Sequence, residues 1–237
     1  MSSPAVVSER LIRPRKGISP IDFPEIWRYR ELFWFLAWRD VLVRYKQTYL
    51  GVAWAVIQPL LTALVFSLIF GRAGAGKFPT NGAPYMVLTF AALVPWQFFS
   101  NALGDSSNSL VTSAHMISKV YFPRVIVPSS AVLGGSIDFL IGMVLLFALM
   151  IWYHVPFTLT LLLLPFFVAV AIAAAFSAGI WLSALNVKYR DVKYIVPFFT
   201  RVGLYVSPVG FLSSIVQGKW RFLYHLNPMV GVIDGFR

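Results

Sequence analysis

Apolar residues in this chain come in long blocks, with most of the charge held in the stretches between them. Leu50–Phe70 carries no charge, and Tyr85–Leu103 carries none either. Val125–Tyr153 is interrupted only by Asp138, and Leu159–Leu185 follows it. Tyr194–Val216 contains Arg201 and is punctuated by Pro197 and Pro208. A helix rises about 1.5 Å per residue, so roughly 20 apolar residues cross a hydrocarbon core of about 30 Å. The blocks predict five membrane spans, at 50–70, 85–103, 125–153, 159–185 and 194–216. No internal repeat and no low-complexity segment is present.

The stretch before the first block has a different character. In residues 24–49, Trp27, Trp34, Trp38, Val41 and Tyr45 fall on one narrow helical stripe, while Arg28, Arg39, Asp40, Arg44, Lys46 and Gln47 fall off it. This spacing predicts an amphipathic helix lying in the membrane interface. Phe33, Leu36 and Val43 lie on the other side of that helix, as they would if it were wedged between lipid and protein. Residues 1–23 read as a cytoplasmic tail. Pro14 and Pro20 interrupt them and no apolar stretch follows Arg10–Lys16, which excludes a secretory signal. The fold class is therefore an all-α membrane protein, a polytopic helical bundle with an N-terminal interface helix.

Composition agrees with the blocks. The chain is 58% hydrophobic and 12% charged, against about 25% charged in soluble domains. The net charge of +11 would suggest nucleic acid in a soluble protein. Here its distribution reads instead as an orientation signal and contact with anionic membrane lipid, with no nucleic acid partner. With the N-terminus inside, segments 1–49, 104–124 and 186–193 hold nine, two and three Lys or Arg residues. The external segments 71–84, 154–158 and 217–228 hold two, none and two. The bias places the N-terminus in the cytoplasm. After five spans the chain is then outside, and Asn227-Pro228 suits the start of a sixth helix, since Asn caps and Pro fits the first turn. The expectation is a sixth span cut short at Arg237.

Candidate chemistry is sparse. Without cysteine there is no disulfide or thiolate site. Gly71-Arg-Ala-Gly-Ala-Gly76-Lys77-Phe78 has phosphate-loop spacing, but Phe78 stands where a Mg²⁺-binding hydroxyl is needed. The histidines (115, 154 and 225) are scattered, so no metal, catalytic or cofactor site is predicted. Asp138 and Arg201 fall inside spans, where ionisable groups are costly and mark functional positions. The alternative for Asp138 is a structural hydrogen bond to a neighbouring helix, and for Arg201 it is snorkelling to the cytoplasmic headgroups. Trp96, Phe98 and Phe99 cluster near the middle of the second span, away from the interfaces where aromatic belts sit. They are either ordinary packing or a wall along which sugar rings slide.

Five segments carry a family resemblance. Trp38-Arg-Asp-Val-Leu-Val-Arg-Tyr-Lys-Gln-Thr-Tyr-Leu-Gly-Val-Ala-Trp-Ala-Val-Ile-Gln-Pro-Leu60 resembles the opening of the ABC-2-type permeases that export O-antigen and teichoic acid. Ile117-Ser-Lys-Val-Tyr-Phe-Pro-Arg-Val-Ile-Val-Pro128 is similar to the segment after their second span, and Asn186-Val-Lys-Tyr-Arg-Asp-Val192 to their second cytoplasmic loop. Tyr205-Val-Ser-Pro-Val209 and Leu226-Asn-Pro228 match the outer part of the fifth span and the loop beyond it. The resemblance runs from about residue 28 onward and implies that 50–237 is the ABC-2-type transmembrane domain.

It further implies a homodimer in the bacterial inner membrane, paired with a separate ABC ATP-binding subunit and carrying a lipid-linked glycan. Leu110–Arg124 would be the coupling helix, with His115, Lys119, Phe122, Pro123 and Arg124 at the ATPase. Lys188, Tyr189, Arg190 and Asp191 would form a second contact, and residues 211–228 external gating helices. The substrate path would use Arg39, Arg44 and Arg201 for the pyrophosphate, and Trp96, Phe98, Phe99 and Asp138 along the bundle. Two rival readings are an ABC-2 permease for drugs or small lipids and a membrane-embedded glycan transferase. The short 71–84 loop disfavours the first, and the scattered acids disfavour the second.

Overall fold

The computed structural model describes residues 23–46, 49–71, 84–215 and 220–237. Its helices are α1 (Phe23–Arg28), α2 (Arg30–Tyr45), α3 (Tyr49–Phe66), α4 (Tyr85–Thr112), α5 (Ala114–Lys119) and α6 (Ile126–Gly134). They continue with α7 (Ser136–Trp152), α8 (Leu164–Lys188), α9 (Val192–Val206), α10 (Trp220–His225) and α11 (Pro228–Phe236). A π turn, Ser67–Gly71, extends α3, and a 3-10 turn, Leu159–Leu163, leads into α8. The described residues contain no strand.

Helix α4 is the axis of the bundle. It packs against α3, α6, α7, α8, α9 and α11, and its Phe90 and Leu93 are fully buried. Lipid tails are as apolar as leucine, so helices in a membrane are joined by close packing and polar contacts rather than by exclusion of water. Small residues provide that closeness here. A Cβ placed on Gly179 of α8 would lie 2.6 Å from Ser106 Oγ of α4, and one on Gly203 of α9 would lie 2.6 Å from the Trp96 ring. Asn186 of α8 donates to the Ser107 carbonyl at 2.9 Å and to Asn108 Oδ1 at 3.1 Å. The C-terminal ends of α4 and α8 therefore share one end of the bundle. That end also carries α5 and the Lys188–Asp191 elbow. At the other end, Tyr85 at the start of α4 donates to the Gly210 carbonyl at 2.6 Å, beyond the C-terminus of α9.

The expected elements stand with revised limits. The interface helix is two pieces, broken at Tyr29, and it ends at Tyr45 rather than residue 49. Its two apolar faces have different jobs. Leu36, Ala37 and Val41 are buried, and Leu36 clusters with Phe122, Ile126 and Val127. Trp27, Trp34 and Trp38 stay 59–71% exposed and point away from the bundle. The second block runs on to Thr112, nine residues beyond the stretch 85–103, and Ser107, Asn108, Ser109 and Thr112 fold their side chains back onto carbonyls three or four residues earlier. The third block is two helices meeting at Gly135.

The fifth block departs most. Its helix starts at Val192 and stops at Val206, ten residues before the expected end at Val216. Pro208 is the cause: it disfavours helical geometry in the residue before it, and Ser207 is extended, with ψ 156. The anticipated coupling helix is also shorter. Residues 110–112 belong to α4, α5 covers Ala114–Lys119, and the chain then turns extended at Val120.

Asn227-Pro228 starts a helix as expected. The Asn227 side chain accepts from the Met229 amide at 3.0 Å, and Met229, Val230, Val232 and Ile233 are fully buried, with α11 seated on α4 and α8. The 1–22 tail, the phosphate-loop-like stretch from residue 72 onward and part of the 211–228 gating segment (216–219) lie outside the described residues.

Candidate functional site

Asp138, the acid in the third apolar block, sits in the first turn of α7. It does not stand alone. Arg44, in the last turn of α2, pairs with it through Nη1 and reaches Asp105 of α4 through Nη2 at 2.6 Å. The neighbouring Tyr45 donates its hydroxyl to the other Asp138 oxygen. One guanidinium thus ties the interface helix to two bundle helices. Partly buried charges are tolerated when paired and hydrogen-bonded, and Arg44, Asp105 and Asp138 satisfy that condition.

Burial would lower the pKa of Arg44, but the carboxylates of Asp105 and Asp138 outweigh it and hold the group above its ordinary value. Burial pushes the Tyr45 phenol up as well, and its hydrogen bond to Asp138 adds to the rise. Arg44 is thus a fixed cation and Tyr45 a fixed donor.

Beside this network lies a cavity of about 420 Å³ between α2, α3, α4 and α7. Its walls include Trp54 and Phe98, the amides of Gln58, Gln97 and Asn101, and the Arg44–Asp105–Asp138 cluster. Its volume falls in the range of small-molecule sites, about 300–1,000 Å³.

The other expected site residues are distributed as follows. Arg39 is exposed and engages its neighbour Asp40 at 2.8 Å, so it does not join the Arg44 cluster. Trp96 and Phe98 are buried in the main core, Phe98 against Phe139 with ring centroids 4.9 Å apart. Phe99 is partly buried, between the main core and the Val192–Val196 cluster. Of this trio, Phe98 alone borders the cavity.

Arg201 does not line this cavity and makes no hydrogen bond or ion pair among the described residues. It lies on the outer face of α9 in a stripe with Tyr194, Phe198 and Tyr205, all exposed. The spacing of four, three and four residues puts them on one side of the helix. Val192 and Val196 hold the opposite side to the bundle.

At the α4–α5 end, His115, Lys119 and Arg124 are exposed, as are Lys188, Tyr189, Arg190 and Asp191 in the α8–α9 elbow. The Asn186 contacts bring these two connectors to the same end. Phe122 is the exception. It is buried against Leu36 and anchors the segment to α2, and Pro123 beside it is half-buried. Sequence reading missed Asp105, which lies just past the expected end of the second span and so did not register as a membrane acid. It also missed the polar wall of Gln58, Gln97 and Asn101. Three uncharged amides spread over two apolar blocks give no signal until the helices are packed.

Three described helical stretches, Tyr85–Thr112, Ile126–Trp152 and Leu159–Lys188, are long and apolar enough to cross a membrane. With the polar cluster held between helices and the broad apolar exterior, the fold and site define a multi-span helical membrane protein. Residues 31–237 match the family described as ABC-2 type transporter, and the chain belongs to that family. It is similar to the O-antigen export system permease protein RfbA of Myxococcus xanthus, 26% identical over 215 residues that make up 90% of this chain and 81% of that protein. The Klebsiella pneumoniae protein of the same description is 28% identical over 200 residues, 84% of this chain and 76% of that protein. The inner membrane transport permease YadH of Escherichia coli K12 is 23% identical over 188 residues, 77% of this chain and 73% of that protein.

Proposed function

We propose that this chain is the membrane permease subunit of an ATP-driven exporter that moves lipid-linked polysaccharide across the bacterial inner membrane. The observation that carries this reading is the similarity to O-antigen export permeases over 84–90% of the chain. The permease works as a homodimer with an ABC ATP-binding subunit on each copy, and its N-terminus is cytoplasmic. The end of the bundle holding α5 and the Lys188–Asp191 elbow then faces the ATPase. Its exposed cations, Lys119, Arg124, Lys188 and Arg190, supply the docking charge.

The path for substrate runs along the outer face of α9 once a second copy closes it. Sugar rings slide on Tyr194, Phe198 and Tyr205, while Arg201 meets the pyrophosphate through charge-assisted hydrogen bonds. ATP-driven closure of the ATPase moves α5, and α5 moves the bundle through the buried Phe122–Leu36 contact.

Copurification from detergent with the co-expressed ATPase tests the pairing. A stoichiometric complex is expected, weakened by Lys119→Glu with Arg124→Glu. A permease that never binds the ATPase would remove this reading and favour a glycan transferase.

A further inference from the structure

We infer that the cavity beside the Arg44 network is a binding site for an uncharged sugar unit of the transported polymer, and that it rejects the polymer's phosphate. This rests on the export reading above and names what one site within it holds.

The chemistry of the walls selects the ligand. Gln58, Gln97 and Asn101 each present a carbonyl acceptor and an NH₂ donor. Together they can satisfy the hydroxyls of a sugar, each of which both donates and accepts. Trp54 supplies a flat apolar face in the same cavity, which suits the C–H face of a pyranose ring. Purely apolar ligands would leave the amides without partners, a cost that sites of this kind use to discriminate.

Charge decides against phosphate. The cavity borders one guanidinium and two carboxylates, Asp105 and Asp138, so with all three ionised these groups carry a net negative charge. Arg44 directs separate nitrogens of its guanidinium at the two acids. A pyrophosphate would have to displace a carboxylate and then sit beside it, and like charges in a partly desolvated site repel strongly. The cation suited to phosphate is Arg201, on α9, away from this cavity. Phosphate recognition is thereby kept to α9, whereas sugar rings meet the protein both there and in this cavity.

The walls that matter most are accessible. Trp54, Gln58 and Asn101 are exposed on the open side of the cavity, so changing them leaves the packed core in place.

The test uses the full-length permease with its ATPase, purified in a detergent without a sugar headgroup. The probe is short fragments of the source cell's own surface polysaccharide, freed of phosphate by mild acid. Saturation-transfer NMR reads their contact with protein, and inorganic pyrophosphate is the competitor. The expected result is transfer to sugar ring protons, affinity about tenfold lower in Gln58→Leu or Asn101→Leu (the loss of one good hydrogen bond), loss of signal in Trp54→Ala, and no displacement by pyrophosphate. Thermal melting of each variant confirms the fold.

Absence of transfer, or unchanged affinity in all three well-folded variants, would overturn the assignment. So would displacement by pyrophosphate that depends on Arg44. ATP-driven export is measured in parallel. A complex that exports normally while the variants bind sugar unchanged refutes this site alone, whereas a complex that exports no polysaccharide refutes the export reading.

Discussion

Arg44 shows how one side chain can set a helix against a membrane bundle. Its two carboxylate partners sit on α4 and α7, so α2 is tied to both by a single cation. Replacing Arg44 by Gln leaves Asp105 and Asp138 facing each other across the gap. Removing one partner of a fully buried pair costs about 3–5 kcal/mol. Arg44 is 34% exposed and water screens what remains, so the expected loss is about 1–3 kcal/mol. Asp138→Asn combined with Arg44→Gln should cost less than the two single changes added together, which a double-mutant cycle of unfolding in detergent would show. Strict additivity would mean that the pair is not coupled.

Tyr45 adds a pH signature. Its phenol ionises later in the folded state than in the unfolded chain, because of burial and the bond to Asp138. The stabilisation is therefore complete below the ordinary tyrosine value of about 10 and declines as the pH rises from there through the folded value. Tyr45→Phe should flatten that part of the alkaline stability curve and leave the slope at neutral pH unchanged.

Among the helices, the close approach of α4 and α8 carries much of the architecture. Gly179→Val would drive a side chain into Ser106, and overpacking of this kind costs about 1–3 kcal/mol. Ser106→Gly in the same chain should restore part of the loss, measured by thermal unfolding. If Gly179→Val is as stable as the parent, the two helices do not meet as described.

The helices of the apolar blocks were legible in sequence because uncharged apolar runs of this length have few alternatives, and three of them are long and apolar enough to cross a membrane. Their ends were less so. The early stop of α9 is written in Pro208, but Pro197 and Pro95 lie within helices that continue, so proline alone does not mark which break occurs. The double apolar character of α2 was readable, whereas the choice of Leu36 for the bundle and the tryptophans for the exterior was not. That choice depends on α6 and Phe122, which lie far along the chain. The Arg44–Asp138 pair is separated by 94 positions, and pairings of that range emerge only from the packing.

For the molecule as a whole, the fold separates three features. Exposed connectors gather at one end, a polar cluster and cavity sit between α2 and the bundle, and an aromatic stripe with one arginine runs along α9. This division fits an exporter that takes force at one end and guides a polymer along its side. It also predicts distinct failures. Charge reversal at Lys119 and Arg124 should weaken ATPase binding without changing permease stability, whereas Arg201→Ala should spare the complex and slow export.

Reconstitution measures polysaccharide export by this permease directly. Permease and ATPase are placed in proteoliposomes with the lipid-linked polysaccharide of the source cell, and its passage across the bilayer is followed by access to an external glycosidase. Translocation should require ATP and both proteins and should fall sharply with Arg201→Ala. No translocation from a complex that assembles and hydrolyses ATP would contradict polysaccharide export by this permease.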